Sequence, residues 1–367
     1  MRFLVLFLLL ITSPTVRAQW DLQNSHTEAS LRGVHSLGNG VAWASGTDGT
    51  VLRTEDAGVT WKVCGVASGA EKLDFRGIQA FDSKTAIVMS SGKGDLSRVY
   101  KTTDGCQTWK LVFTNPDEDG FFDSLRLVTG KQMYLLGDPV GGKFSMFYSQ
   151  DAGTTWYIAD DPGLEAPKEA GAFAASNSSL INIGPFLSFG TGGSRAAVYT
   201  MRSKCDPAKS DVCPSVWEVA DTPIAHGSAP AGVFSLAGHF ATTASGKTSI
   251  VAVAVGGVYD KPDEASNAAA SSRDDGRNWV AAQTPPHGYR SAVAYDSSTA
   301  MWITVGPNGT DISTDDGRNW RALRPGSGDA SDADKNWNAL SLPFVVGPHG
   351  RIGLLRKDVL VAPDHRK

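Results

Sequence analysis

Short apolar runs alternate with turn residues along almost the whole chain. The first stretch carries runs at 31–36, 41–46 and 51–54, the second at 75–81, 85–90 and 98–102, and each stretch adds a fourth run, such as 61–66. Runs this short, rich in β-branched and aromatic residues and bounded by Gly, Asn, Asp and Ser, are strands, and no segment carries a convincing helical period. Four strands joined by tight turns make one propeller blade.

A repeat sits inside this pattern. Thr54-Glu55-Asp56-Ala57-Gly58-Val59-Thr60-Trp61 returns around Asp151, Asp274 and Asp315 with closing Trp156, Trp279 and Trp320. A fifth copy around Asp104 ends at Trp109 and carries Cys106 where the others have Gly. The Ser/Thr-x-Asp-x-Gly-x-Ser/Thr/Asn-Trp pattern is the Asp box. A short carboxylate accepts hydrogen bonds from its own turn, and Gly supplies a positive φ without steric cost. Asp56, Asp104, Asp151, Asp274 and Asp315 are therefore expected to be structural turn devices, not acids, bases or metal ligands.

The repeat also counts the blades. The gap from Trp156 to Trp279 is about twice the spacing elsewhere, so a degenerate blade ends at Ser215-Val216-Trp217. Runs at 338–342, 344–347 and 351–356 supply three strands without a fourth, and 19–23 supplies a fourth without three. The two ends are expected to share one blade, with Trp20 as its closing tryptophan. The expected fold is all-β: a seven-bladed propeller of four-stranded antiparallel blades, closed by the N-terminal strand.

The ends and the composition refine this picture. Arg2 precedes the apolar run 3–11, and Val16-Arg17-Ala18 offers small residues for cleavage, so 1–18 is expected to be a signal peptide, 19–357 the propeller and 358–367 a tail. The expected location is secreted or periplasmic, without stable membrane insertion. In an exported protein the four cysteines are expected to cross-link. Cys205 and Cys213 bracket a polar insertion and form the favoured pair; Cys64 and Cys106, in neighbouring repeats, form a second pair or stay as buried thiols. A net charge of −4 leaves no footprint for nucleic acid. The seven histidines lack metal-ligand spacing, and no cofactor motif opens a helix, so neither metal nor cofactor is expected.

The chain resembles the BNR-repeat propellers, and in particular the photosystem II stability and assembly factor-like group with its uncharacterised bacterial relatives, some labelled oxidoreductase. The resemblance rests on the Asp boxes, on Leu31-Arg32-Gly33-Val34 and Asp74-Phe75-Arg76-Gly77-Ile78, and on the closing run from Phe344 to Ile352. It implies a non-enzymatic role in which an arginine-rich patch binds a protein partner. Cys106 and the degenerate fourth blade depart from the pattern. The box specifies a fold far better than a function.

Propellers usually bind at the channel mouth, where the first strand of each blade begins. Aligning those openings pairs Leu31-Arg32, Phe75-Arg76, Phe122-Asp123, Phe173-Ala174, Phe234-Ser235, Tyr289-Arg290 and Trp337-Asn338. Around the ring this orders Arg290, Asn338, Arg32, Arg76 and Asp123 on one arc. Converging arginines suit a carboxylate, a phosphate or an acidic protein surface; the competing role is to lock blades through Asp74, Asp123 or strand-end carbonyls. The alternative function is a carbohydrate-active propeller of sialidase or glycoside hydrolase type, although no arginine-led FRIP motif occurs and Tyr289 is the nearest candidate nucleophile. The loops 160–171, 205–213 and 259–270 are further candidates for recognition.

Overall fold

The computed structural model describes residues 20–203, 215–242, 246, 248–326 and 329–356. The expected signal peptide, the tail and the Cys205–Cys213 pair lie outside them. Within them the strands form seven antiparallel sheets, and the single helical element is one 3-10 turn, Gly94–Leu96.

Blade 1 comprises Leu31–Ser36, Ala42–Gly46, Val51–Thr54 and Lys62–Val63; blade 2, Phe75–Ala80, Ala86–Ser90, Arg98–Thr102 and Lys110–Thr114; and blade 3, Phe122–Thr129, Gln132–Val140, Lys143–Ser149 and Tyr157–Ile158. Blade 4 is Leu180–Ile183, Phe186–Gly190, Ala197–Ser203 and Ser215–Asp221, ending through Trp217 as the spacing required. Blade 5 is Ser228–Thr242, Thr248–Val258, Ala269–Ser272 and Val280–Ala281, extended by a small ribbon of Ala170–Gly171 and Gly192–Gly193. Blade 6 is Ala292–Asp296, Met301–Gly306, Gly309–Ser313 and Arg321–Leu323. Blade 7 joins Ala339–Ser341, Phe344–Val346 and Ile352–Leu355 to the N-terminal Trp20–Gln23, with Trp20 opposite Leu355 and Gln23 opposite Ile352.

The core is not one body but seven layers, each between two blades. Trp43 and Val51 of blade 1 meet Ile78, Val88 and Tyr100 of blade 2; Leu31, Leu52 and Trp61 of blade 1 meet Phe344 and Ile352 of blade 7. Inner strands are therefore covered on both faces. Ala42–Gly46 and Ala86–Ser90 are buried at every position. That is why these runs are nearly continuous in apolar and small residues instead of strictly alternating.

The box turns work through local hydrogen bonds. The Thr54 hydroxyl donates to Asp56 (2.8 Å) and accepts from the Gly58 N–H (2.9 Å). Asp56 also accepts from the N–H (2.9 Å) and hydroxyl (2.6 Å) of Thr60. The same network recurs at Asp104, Asp151, Asp274 and Asp315, with Asn278 and Asn319 replacing the last threonine.

Cys106 shows what the box glycine faces. Its φ is 65° and its N–H donates to Thr102 (3.1 Å), as the glycine N–H does in the other boxes. A Cβ on Gly58 would meet Gln23 and Phe344 of the preceding blade, and one on Gly153 would meet Ile87. A side chain at this position thus points at the preceding blade. Cys106 reaches Cys64 there in a disulfide, with Cα atoms 5.5 Å apart. The cross-link in the described residues is the second of the two expected pairs, and it staples blade 1 to blade 2.

The hydrogen bonds of the box stabilise the ionised aspartate. The side-chain and backbone donors of Thr108 hold Asp104 at about 2. At Asp151 desolvation acts upward, yet the bonds from Thr155, Ser149 and Thr154 outweigh it and again give about 2. A depressed folded-state value contributes stability that is complete above the unfolded value, near 3.9, and is lost as pH falls through the folded value. Acid titration of the wild type is therefore expected to show stability falling between about pH 4 and pH 2. An Asp104→Asn/Asp151→Asn variant should start lower at neutral pH and show a flatter profile in that window. Equal slopes for the two proteins would refute the assignment.

Candidate functional site at the channel mouth

The inner strands of four blades slip register by one residue near their start. The slips fall between Leu31 and Gly33, Phe75 and Gly77, Phe122 and Ser124, and Val233 and Ser235. The extra residues are Arg32, Arg76, Asp123 and Phe234. A bulge re-aims its side chain out of the strand's alternation. In a sheet covered on both faces, this lets a residue leave the inter-blade core and turn toward the axis. The following glycines make the bulges possible in blades 1 and 2: a Cβ on Gly33 would lie 2.7 Å from the Ser45 hydroxyl, and one on Gly77 2.9 Å from Asn177 Oδ1. In blade 5 the bulged residue is Phe234, not the Ser235 of the alignment. Ser235 stays buried and accepts from the Val293 N–H at 3.0 Å.

The spacing also misplaced the opening of blade 4. Phe173-Ala174 precedes the inner strand Leu180–Ile183 and belongs to a segment that crosses the channel. The Ser176 hydroxyl donates to the Ser291 carbonyl of blade 6 (2.8 Å), Ser178 and Ser235 share a hydroxyl hydrogen bond to blade 5 (2.7 Å), and Asn177 accepts from the Leu125 N–H of blade 3 (2.8 Å) while donating to the Ile78 carbonyl of blade 2 (3.3 Å). This segment, 173–179, plugs the channel.

Above the plug lies an opening of about 420 Å³, lined from blades 1, 2, 5, 6 and 7 and the plug itself. One side is cationic, with Arg32 and Arg76. The other is aromatic: Phe173 stacks on Phe234 at 3.7 Å, and Phe234 meets Tyr289 edge-on at 4.8 Å and Tyr259 at 6.2 Å. The box turns face the other way. Ala57 N–H donates to Gly40 in the hairpin that follows the inner strand, which places the turns at the opposite end of the channel.

The expected arc divides into free and engaged residues. Arg76 pairs with Asp74 at 2.7 Å. Arg32 has no hydrogen bond or ion pair among the described residues, and its Nε is buried without a partner. Burial and the neighbouring Arg76 charge lower its pKa, and Asp74 offsets only part of this. Asn338 lines the opening but its amide donates to the Leu31 carbonyl (2.8 Å), locking blade 7 to blade 1.

Arg290 departs from the arc altogether: its side chain has no exposure, it pairs with Asp311 at 2.8 Å through Nε, and it donates to the Tyr289 carbonyl (2.7 Å) and Asn308 (2.6 Å). Its role is structural: the partners lie within or just before blade 6, so the guanidinium braces that blade's own strands and does not face the mouth. Asp123 is also withdrawn, at 1% exposure with Oδ2 unpartnered. Burial and then the Asp138 charge push its carboxyl well above the usual range, against the pull of Arg76. The alignment of openings pairs Phe173, Phe234 and Tyr289 with their neighbours and draws the arc from those neighbours, so it does not reveal the aromatic wall. Among the described residues no cluster of His, Cys, Asp and Glu is placed to hold a metal.

No family model and no curated relative matches the sequence. Solved structures share the fold. YCF48 bound to D1 peptide aligns with a TM-score of 0.55 at 15% identity, covering 94% of this chain and 100% of that one. YCF48 from Cyanidioschyzon merolae gives 0.54 at 15%, covering 93% and 100%. U3-55K gives 0.57 at 12%, covering 92% and 98%.

Two substitutions separate lock from site. Arg290→Ala leaves the buried Asp311 with His287 (2.8 Å) but without its guanidinium, and is expected to cost about 3–5 kcal/mol in urea unfolding. Arg32→Ala removes an unpaired charge and is expected to cost at most about 1 kcal/mol, mainly from lost side-chain packing. Comparable losses for the two would contradict this division. A third substitution tests Asp123. A carboxyl with a raised folded value costs stability as pH rises from the unfolded value toward the folded one. Asp123→Asn should therefore melt above the wild type at pH 8, by a margin that shrinks toward pH 4, and a lower melting temperature at pH 8 would count against a raised Asp123 value.

Proposed function

We propose that the chain is an exported, non-enzymatic propeller of the Asp-box, assembly-factor-like type that binds an acidic segment of a protein partner at its channel mouth. The observation that carries this reading is the unpartnered Arg32 guanidinium beside Arg76, in an opening walled by aromatic rings. A guanidinium offers a fixed fork of donors for a carboxylate, and sheltering from water strengthens each bond. The rings add apolar area and ring edges for the partner's side chains. A solved propeller of the same fold, YCF48 bound to D1 peptide, supports a peptide-binding role.

The Cys64–Cys106 cross-link fits an oxidising compartment, consistent with periplasmic or secreted location. In that setting the partner is a component of an envelope or membrane complex whose assembly or stability the propeller serves.

An Arg32→Ala/Arg76→Ala variant tests the site. It is expected to keep the wild-type circular dichroism spectrum while capturing the partner from the native envelope fraction at least about tenfold less well, the equivalent of one charge-assisted contact. Wild-type capture should weaken as salt rises. Undiminished capture by the double variant would overturn the assignment, as would steady turnover of chromogenic glycosides that disappears in Tyr289→Phe.

A further inference from the structure

Sheltered arginines in this protein are almost all neutralised. Arg53 pairs with Glu55 at 2.9 Å, Arg202 with Glu218 at 3.0 Å, Arg351 with Asp332 at 3.2 Å and Arg356 with Asp21 at 3.3 Å. Among the described residues, the two arginines that are not exposed and have no ion pair are Arg32 and Arg126. Arg32 belongs to the mouth. Arg126 does not.

Arg126 lies on Phe122–Thr129, immediately after Leu125, whose N–H is held by Asn177 of the plug. It is therefore on the box-turn side of the plug. Its Nε is buried without a partner, and no hydrogen bond or ion pair among the described residues engages any of its nitrogens. Its neighbours cannot neutralise it. His35, on the inner strand of blade 1, accepts the Ala80 N–H at Nδ1 (3.3 Å) and lies 3.2 Å from the Gln79 amide at Nε2. Burial, and then the Arg126 charge itself, push His35 down to about 4, so the ring is neutral at physiological pH. The lowering of the Arg126 value has burial as its cause, without any compensating acid.

Its Nε is taken from water without an acceptor, while the half-buried side chain keeps its other nitrogens open to the channel, and a sheltered charge in a protein is ordinarily paired. Here the described chain supplies no partner. We propose that Arg126 holds a small oxyanion in the channel below the plug, a phosphate, sulfate or short carboxylate, with His35 and Gln79 beside it. The site is separate from the mouth and does not depend on what the mouth binds.

Thermal unfolding of the full chain in phosphate, sulfate or acetate, against chloride at matched ionic strength, tests this. The expected result is a melting temperature that rises with the logarithm of oxyanion concentration. A response to phosphate and sulfate alone identifies a tetrahedral ligand, and a response to acetate a carboxylate. Arg126→Gln should abolish the dependence and Arg32→Gln should keep it. Should Arg126→Gln fail to fold, Arg126→Lys retains the charge but loses the fork, and calorimetric titration with phosphate should then show binding at least about tenfold weaker than wild type. Equal melting in oxyanion and chloride overturns the proposal, as does an undiminished response or affinity in the Arg126 variants.

Discussion

Every blade of this protein buries its two faces against two neighbours and nothing else, so the ring has to close. A sheet left at an open end would expose a face that the other blades cover. Closure falls on Trp20–Gln23 pairing with Ile352–Leu355. The strand is short but firmly held. Trp20 is 1% exposed, packs 6.0 Å from Trp337, and donates from its indole to the Thr310 hydroxyl of blade 6 at 3.0 Å. Gly353 permits this, because a Cβ there would sit 3.1 Å from both Trp20 and Trp337. The contact joins the two ends of the chain, so the last layer of core forms only when the longest loop has been closed.

Closure also decides where chemistry can occur. Sheets arranged radially and covered on both faces keep most inner-strand side chains in the inter-blade core. The axis is reached where the ladder is interrupted, and the bulges at Arg32, Arg76 and Phe234 are such interruptions. The plug then divides the channel. Its Asn177 ties blades 2 and 3 while Ser176 and Ser178 tie blades 6 and 5, so one irregular segment braces the ring and floors the mouth.

What the sequence made legible is what is local. A box turn closes its hydrogen bonds within a few residues, so the turns around Asp56 and its counterparts are legible in the pattern, and counting tryptophans then gives the ring. What it concealed is non-local. Arg290 looked like its aligned neighbours Arg32 and Arg76, but its fate is set by Asp311, 21 residues away on another strand. Phe173 carried the aromatic-then-small signature of a strand opening, yet the strand begins at Leu180 and Phe173 serves the mouth. Cys106 stood out as a departure; that it points at Cys64 follows only from seeing which blade the box glycine faces.

The balance of charge at the mouth follows from burial more than from composition. Asp123 is the bulged residue of blade 3 and in sequence seemed a partner for Arg76. Its burial and the nearby Asp138 push its carboxyl well above the usual range, and its side chain is withdrawn from the opening, so it is a poor counter-ion for the site. Arg76 takes Asp74 instead, and Arg32 keeps its charge, because even a lowered guanidinium remains ionised at neutral pH. A net negative chain of −4 thus presents a cationic opening. The fold achieves this by withdrawing one acid from the opening, not by adding base.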